Sequence, residues 1–126
     1  MDITQVLYRN APHRAQVRLS VPHLVRGGSA ELFVAAAGGT DVAVTARVRV
    51  QGNGSLRKRL ILRTNTYDLD IPCGFGATWN AARNFIAISV PKSCSDVIPD
   101  NGPLYLFART GMDKDSAPTA YHLAEG

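Results

Sequence analysis

Apolar and polar residues alternate with a period of two along most of the chain, and no stripe of helical spacing persists. Ala15, Val17, Leu19 and Val21 are apolar, with Gln16, Arg18 and Ser20 between them. Val42, Val44, Ala46, Val48 and Val50 repeat the pattern, with Thr45, Arg47, Arg49 and Gln51 on the other parity. The same holds for Ile86, Ile88 and Val90, and again for Leu104, Leu106 and Ala108. In an extended chain each set occupies one face, so these segments predict half-buried strands. Further strands are expected at 2–8, 30–36, 56–64, 67–71 and 77–80, and 121–123 offers a short edge strand. Turn chemistry separates nearly all of them: Asn10-Ala11-Pro12, Gly27-Gly28, Gly38-Gly39, Gly52-Asn53-Gly54, Pro72-Cys73-Gly74 and Asn101-Gly102-Pro103. About nine short strands at this spacing predict an antiparallel β-sandwich, jelly-roll or immunoglobulin-like. It is expected to be one domain over 1–126 with an irregular tail at 111–126.

One hairpin can be read for register. A two-residue Asn53-Gly54 turn sets Val50 opposite Arg57 and Val48 opposite Arg59, mixing valine and arginine on one face. A three-residue Gly52-Asn53-Gly54 loop sets Val50 against Leu56, Ala46 against Leu60 and Val44 against Leu62, with Lys58 intruding opposite Val48. A slip of one residue exchanges the two faces of a strand, so a buried face selects the second register. That loop also puts Gly54 at the left-handed position such connections favour. The consequence is an opposite face shared by Arg47, Arg49, Arg57, Arg59 and Arg63.

This face changes the meaning of a net charge of only +4. Ten of the fourteen lysines and arginines precede Thr64, against three of the ten acids, and six lie between Arg47 and Arg63. A local field of this kind, more than the total charge, steers an anionic partner. Like charges facing each other in a ladder are destabilising, so the cluster either has acidic neighbours or awaits an anion. The favoured reading is a solvated face partly neutralised by Asp68 and Asp70; the alternative is ligand binding by Arg47, Arg49, Arg57 and Arg59. The anion would then be an acidic polysaccharide or a cell-envelope polymer. Nucleic acid is disfavoured, because no aromatic residue is interleaved for bases to stack on.

Trp79, the single tryptophan, is a further candidate for ligand contact, with Phe75, Tyr67 and Tyr105 as companions in a sugar-stacking platform. A lone tryptophan is more often core packing, here within the segment between the two cysteines. Asp68-x-Asp70, Asp96 to Asp100 and Asp113-x-Asp115 offer hard oxygen ligands, but none matches an EF-hand loop. No cofactor is expected, and a structural calcium is the disfavoured alternative. His13, His23 and His122 lack zinc spacing, and two cysteines do not complete such a site, so no metal is expected either. There is no nucleophile elbow, HExxH or phosphate loop, and Gly27-Gly28-Ser29 and Gly74-Phe75-Gly76 read as loop glycines. A small hydrolase is therefore the least favoured function. The longest apolar runs, such as 32–37, are strand-sized, so no membrane insertion is expected.

Cys73 and Cys94 each stand beside turn-forming residues, in Pro72-Cys73-Gly74 and Ser93-Cys94-Ser95. Bonded, they close a loop worth about 3 kcal/mol; unbonded, they are two buried thiols of a cytosolic protein. The disulfide is preferred, and with it an extracytoplasmic location. Four segments then carry a likeness: the opening Asp2-Ile3-x-x-Val6, the ladder from Val42 to Val50, Cys73-Gly74-x-x-Ala77-x-Trp79-Asn80, and Ile88-Ser89-Val90-Pro91-Lys92-Ser93-Cys94. In this order they resemble a group of small secreted actinomycete β-sandwich proteins with no assigned activity, over most of the chain up to Arg109. The resemblance implies secretion and a Cys73–Cys94 pair, and it brings no functional residue with it. Such proteins usually carry a leader peptide; none precedes Asp2, so the start reads as a cytosolic chain or as a mature secreted domain. A remoter likeness, to jelly-roll carbohydrate-binding modules, rests on the opening Asp2-Ile3 strand and the number of strands. These readings predict a secreted, non-enzymatic binding module for carbohydrate or an anionic envelope polymer. A protein-interaction domain, as an inhibitor or assembly subunit, is the alternative.

Overall fold

A computed structural model describes residues 3–22, 24, 28–37, 42–110 and 120–124, with the side chains of 120–122 outside that description. Ten strands follow in order: β1 (Gln5–Asn10), β2 (Arg14–Ser20), β3 (Gly28–Ala36), β4 (Ala43–Val50), β5 (Leu56–Arg63), β6 (Asp68–Asp70), β7 (Gly76–Asn80), β8 (Phe85–Pro91), β9 (Leu104–Thr110) and β10 (Ala120–Leu123). A 3-10 turn at Lys92–Cys94 follows β8. The strands form two antiparallel sheets, sheet A in the order β1-β2-β8-β7 and sheet B in the order β10-β9-β3-β4-β5-β6. The expected all-β sandwich is therefore present, and the edge strand anticipated at 121–123 is β10. Asp2, His23, Gly27, Gly38, Gly39, Asp113 and Asp115 lie outside the described residues, as does the tail over 111–119.

The alternation read from the sequence becomes the core. Ala30, Leu32 and Val34 of β3, Val44, Ala46 and Val48 of β4, and Leu104, Leu106 and Ala108 of β9 are wholly buried on the inner face of sheet B. Ala15, Val17 and Leu19 of β2 and Ile86, Ile88 and Val90 of β8 meet them from sheet A. The rows interlock by size: register places Ala108, Leu32, Ala46 and Leu60 side by side across β9, β3, β4 and β5. Such alternation lets facing layers fill space at the density of protein interiors.

The β4–β5 hairpin adopts the three-residue loop. Val50 pairs with Leu56, Ala46 with Leu60 and Val44 with Leu62. Gly54 has φ of 85°, a left-handed conformation that a side chain would strain. Its N–H donates to the Gln51 carbonyl at 2.9 Å, while the Gln51 N–H donates to Ser55 at 2.9 Å. The intruding Lys58 stays out of the core: it is exposed, and its Nζ donates to the Phe75 carbonyl at 2.9 Å. A long stem lets the ammonium leave an apolar face for a polar partner.

Both long sides of the sandwich are tied. On one, Asn10 Nδ2 donates to the carbonyls of Gly102 and Leu123 at 2.8 and 2.9 Å, and Tyr8 Oη accepts the Ala108 N–H at 3.0 Å. On the other, a disulfide joins Cys73, in the β6–β7 crossing, to Cys94 after β8, with Cα atoms 5.7 Å apart. Tyr8→Phe should cost about 1 kcal/mol, because it leaves the Ala108 N–H without its acceptor. Burial pushes the Tyr8 phenol above its ordinary value, outweighing the Ala108 hydrogen bond that favours the ionised form. The folded state thus resists ionisation more than the unfolded state does. The wild-type advantage over Tyr8→Phe should persist below about pH 10 and decline as pH rises further. Urea titrations of both proteins at neutral and alkaline pH measure the difference; a constant gap would refute the assignment.

Candidate functional site

The hairpin register decides where the arginines go. With the valines buried, the opposite parity of β4 and β5 faces away from the core, and Arg47 stands directly opposite Arg59, Arg49 opposite Arg57. Directly opposed residues have Cβ atoms about 5 Å apart, and successive same-face positions along a strand lie about 6.6 Å apart. The result is a two-by-two array of guanidinium groups on the outer face of sheet B. A cleft of 360 Å³ lies among them, lined by Arg47, Arg49, Arg57, Arg59 and Asp70.

The array is partly compensated. Arg59 Nε donates to Asp70 Oδ1 at 2.7 Å, and Arg63 Nε lies 3.6 Å from Asp68 Oδ1, so both acids of β6 act as the sequence suggested. The Asp70 hydrogen bond and charge push the Arg59 guanidinium further above its already high value, so it stays ionised at any working pH. A third acid, Glu31 of β3, was not foreseen. Its nearly buried carboxylate lies 3.3 Å from Arg47 Nη2 on one side and 3.3 Å from Arg109 Nη2 on the other. The row across the sheet is therefore Arg109, Glu31, Arg47, Arg59, closed by Asp70 from the edge. Arg49 and Arg57 belong to the next row, opposite Ser29. Among the described residues neither of these two guanidinium groups has an acidic or hydrogen-bonding partner. The uncompensated charge of the cleft thus sits on this pair.

With the site's geometry in hand, comparison with known proteins adds nothing to it. No protein-family model matches the chain, and no curated protein matches it. What the cleft can do must come from its own chemistry. Arginine presents planar, always-charged N–H forks suited to carboxylate, sulfate and phosphate oxygens.

The other candidates are not brought together. Trp79 points inward from β7, packs against the core and lines a 540 Å³ opening at one end of the sandwich with Val50, Leu56, Ala81 and Ala82. Phe75 is buried in the core, Tyr67 is exposed in the β5–β6 turn, and Tyr105 is on the outer face of sheet B opposite Ala35. These four rings form no shared platform, because they occupy the interior, a turn and the far side of a sheet. Among the described residues no three histidine, cysteine or acidic side chains converge. Asp68 and Asp70, read above as an oxygen-ligand pair, face Arg63 and Arg59. No helix among the described residues is long and apolar enough to cross a membrane.

Proposed function

We propose that the protein is a secreted binding module that holds an acidic polysaccharide or related anionic envelope polymer in the arginine cleft. The observation that carries this reading is the Arg49–Arg57 pair: two opposed guanidinium groups, lining a cleft, without an acid to balance them among the described residues. A polymer with repeating anionic groups satisfies such a pair, while the neighbouring Arg47 and Arg59 remain held in place by Glu31 and Asp70. The disulfide supports an oxidising, extracytoplasmic setting, where such bonds persist. The site asks for no chemistry beyond binding. A protein-interaction role is the second reading, and it draws on β6, a short edge strand flanked by exposed Tyr67 and containing exposed Leu69.

Charge reversal separates the two. The double variant R49E/R57E should weaken binding to heparin and to polygalacturonate by on the order of tenfold or more, since charge-assisted hydrogen bonds are worth more than 1 kcal/mol each. Wild-type affinity should fall steeply with salt, and the variant should show a shallower dependence. Both side chains are exposed, so thermal unfolding should change little, by about 0.5 kcal/mol. Unchanged retention of the folded variant would overturn the proposal and favour the protein-interaction reading.

A further inference from the structure

Sheet A carries a second basic face, built differently from the first. Its four strands, QVLYRN, RAQVRLS, GATWN and FIAISVP, contain no acidic residue. Their outward parity nevertheless bears Arg9, Arg14 and Arg18. On sheet B an acid stands beside four of the arginines; on sheet A none does among the described residues. Two of the three are instead laid along the sheet by neutral partners. Arg14 donates from Nε to Ser89 Oγ at 2.5 Å and from Nη2 to the Ser89 carbonyl at 3.2 Å, reaching over β8 toward Gly76. Arg18 lies over the Phe85 ring with its guanidinium carbon 4.0 Å from the centroid. Arg9 has no partner among the described residues.

Between Arg9 and Arg18 lies a shallow groove of 530 Å³, lined on its outer side by Leu7, Arg9, Gln16, Arg18, Ala87 and Ser89. Register explains the trough. Across one row Arg9 is followed by Gln16, Ser89 and Gly76, and across the next Leu7 by Arg18, Ala87 and Thr78. Bulky side chains stand on β1 and β2, and small ones on β8. Ser89 Oγ accepts from both Arg14 and Gln16 Nε2, at 2.5 and 3.1 Å, which leaves its own hydroxyl proton to donate outward. Guanidinium groups, that of Arg18 held over Phe85, interleaved with hydroxyl and amide groups suit a strand that alternates anions with sugar hydroxyls. Among the described residues of these four strands Phe85 is the one outward ring, and Arg18 covers it, so no aromatic surface there is open to a stacked base.

We infer that the outer face of sheet A is a second binding surface for an acidic polysaccharide strand, so that one molecule joins two strands from opposite sides of the sandwich. The inference takes its ligand class from the reading of the arginine cleft, but its residues are wholly separate. Arg14 and Arg18, already anchored, lose less conformational freedom on binding than free arginines, which favours this face despite its flatness.

Titration calorimetry with a heparin hexasaccharide, too short to reach around the sandwich, counts the surfaces. Wild type should bind two per molecule, and R49E/R57E and R9E/R18E one each. The neutral variant R9Q/R18Q should likewise bind one, which guards against an effect of reversed charge on the fold. With long heparin, wild type should give strong light scattering from bridged chains, and either double variant should bind without bridging. A single site in wild type, lost in R49E/R57E and kept in R9E/R18E, would overturn this inference and leave the arginine cleft standing. A single site lost only in R9E/R18E would instead sink the cleft while sustaining the sheet A surface. A single-stranded oligonucleotide that displaces the saccharide from R49E/R57E at about tenfold lower concentration would overturn the ligand class assigned to this face.

Discussion

Leu32→Ala should lower the free energy of unfolding by about 4 kcal/mol, toward the upper end of the range for such truncations. Leu32 is wholly buried on β3, a central strand of sheet B. The decisive feature is its neighbourhood. Register places Ala108 of β9 on one side and Ala46 of β4 on the other, so Leu32 alone fills the width of three strands. After truncation, three alanines would stand in a row across β9, β3 and β4, with no larger side chain directly opposite to fill the space. The cavity term should therefore remain almost whole. Val34→Ala offers the contrast, since Val44 and Leu106 flank it, and it removes fewer atoms; it should cost about half as much. Urea unfolding followed by far-ultraviolet circular dichroism measures both. Equal losses would show that the row can close, and that the alternation of sizes has no special mechanical role.

Removing the disulfide has the next largest expected effect. The double variant C73S/C94S should lose about 3 kcal/mol, the loop-closure entropy returned to the unfolded chain. Strands β7 and β8 lie inside the loop that the bond closes, and β7 is one of the two edge strands of sheet A. The bond holds the entrance to β7 beside the exit from β8, so its loss should loosen that edge first. Trp79, the single tryptophan, sits on β7 and should report the loosening as a red shift of its emission before the far-ultraviolet signal changes. Reductant should destabilise wild type by a similar amount and leave the variant untouched. A loss below about 1 kcal/mol would mean that the folded state already holds these ends together without the bond.

Much of this fold was legible as pattern. Period two in 15–21, 42–50, 86–90 and 104–108 marked the inner residues of β2, β4, β8 and β9, because a pleated strand sends alternate side chains to opposite faces. Gly52-Asn53-Gly54 carried the register of β4 on β5, since only the three-residue loop keeps valine against leucine and offers glycine where φ is positive. From that register the array of Arg47, Arg49, Arg57 and Arg59 followed, and Asp68 and Asp70 were expected to neutralise part of it; that Asp70 meets Arg59 and Asp68 meets Arg63 came from the register of β6 on β5. All these inferences join residues that are neighbours along the chain or across one turn, and local rules govern such neighbours.

What required the tertiary structure was every relation between strands distant in sequence. Glu31 has the parity of an outward residue in its own strand, but its value lies in standing between Arg47 and Arg109, which depends on β9 returning to pair with β3. That return settles which arginines are neutralised, leaving Arg49 and Arg57 as the uncompensated pair. Arg9, Arg14 and Arg18 form no cluster in the sequence, and the addition of β8 beside β2 supplies Ser89 and Phe85 to lay two of them flat. Trp79 and Tyr105 were separated for the same reason, one turned inward on sheet A and the other outward on sheet B. Sequence alone determined which side of each strand is apolar, because that is a property of local geometry. Which strands become neighbours is decided by burying all those apolar sides in one core, and only that collective choice defines the two basic faces.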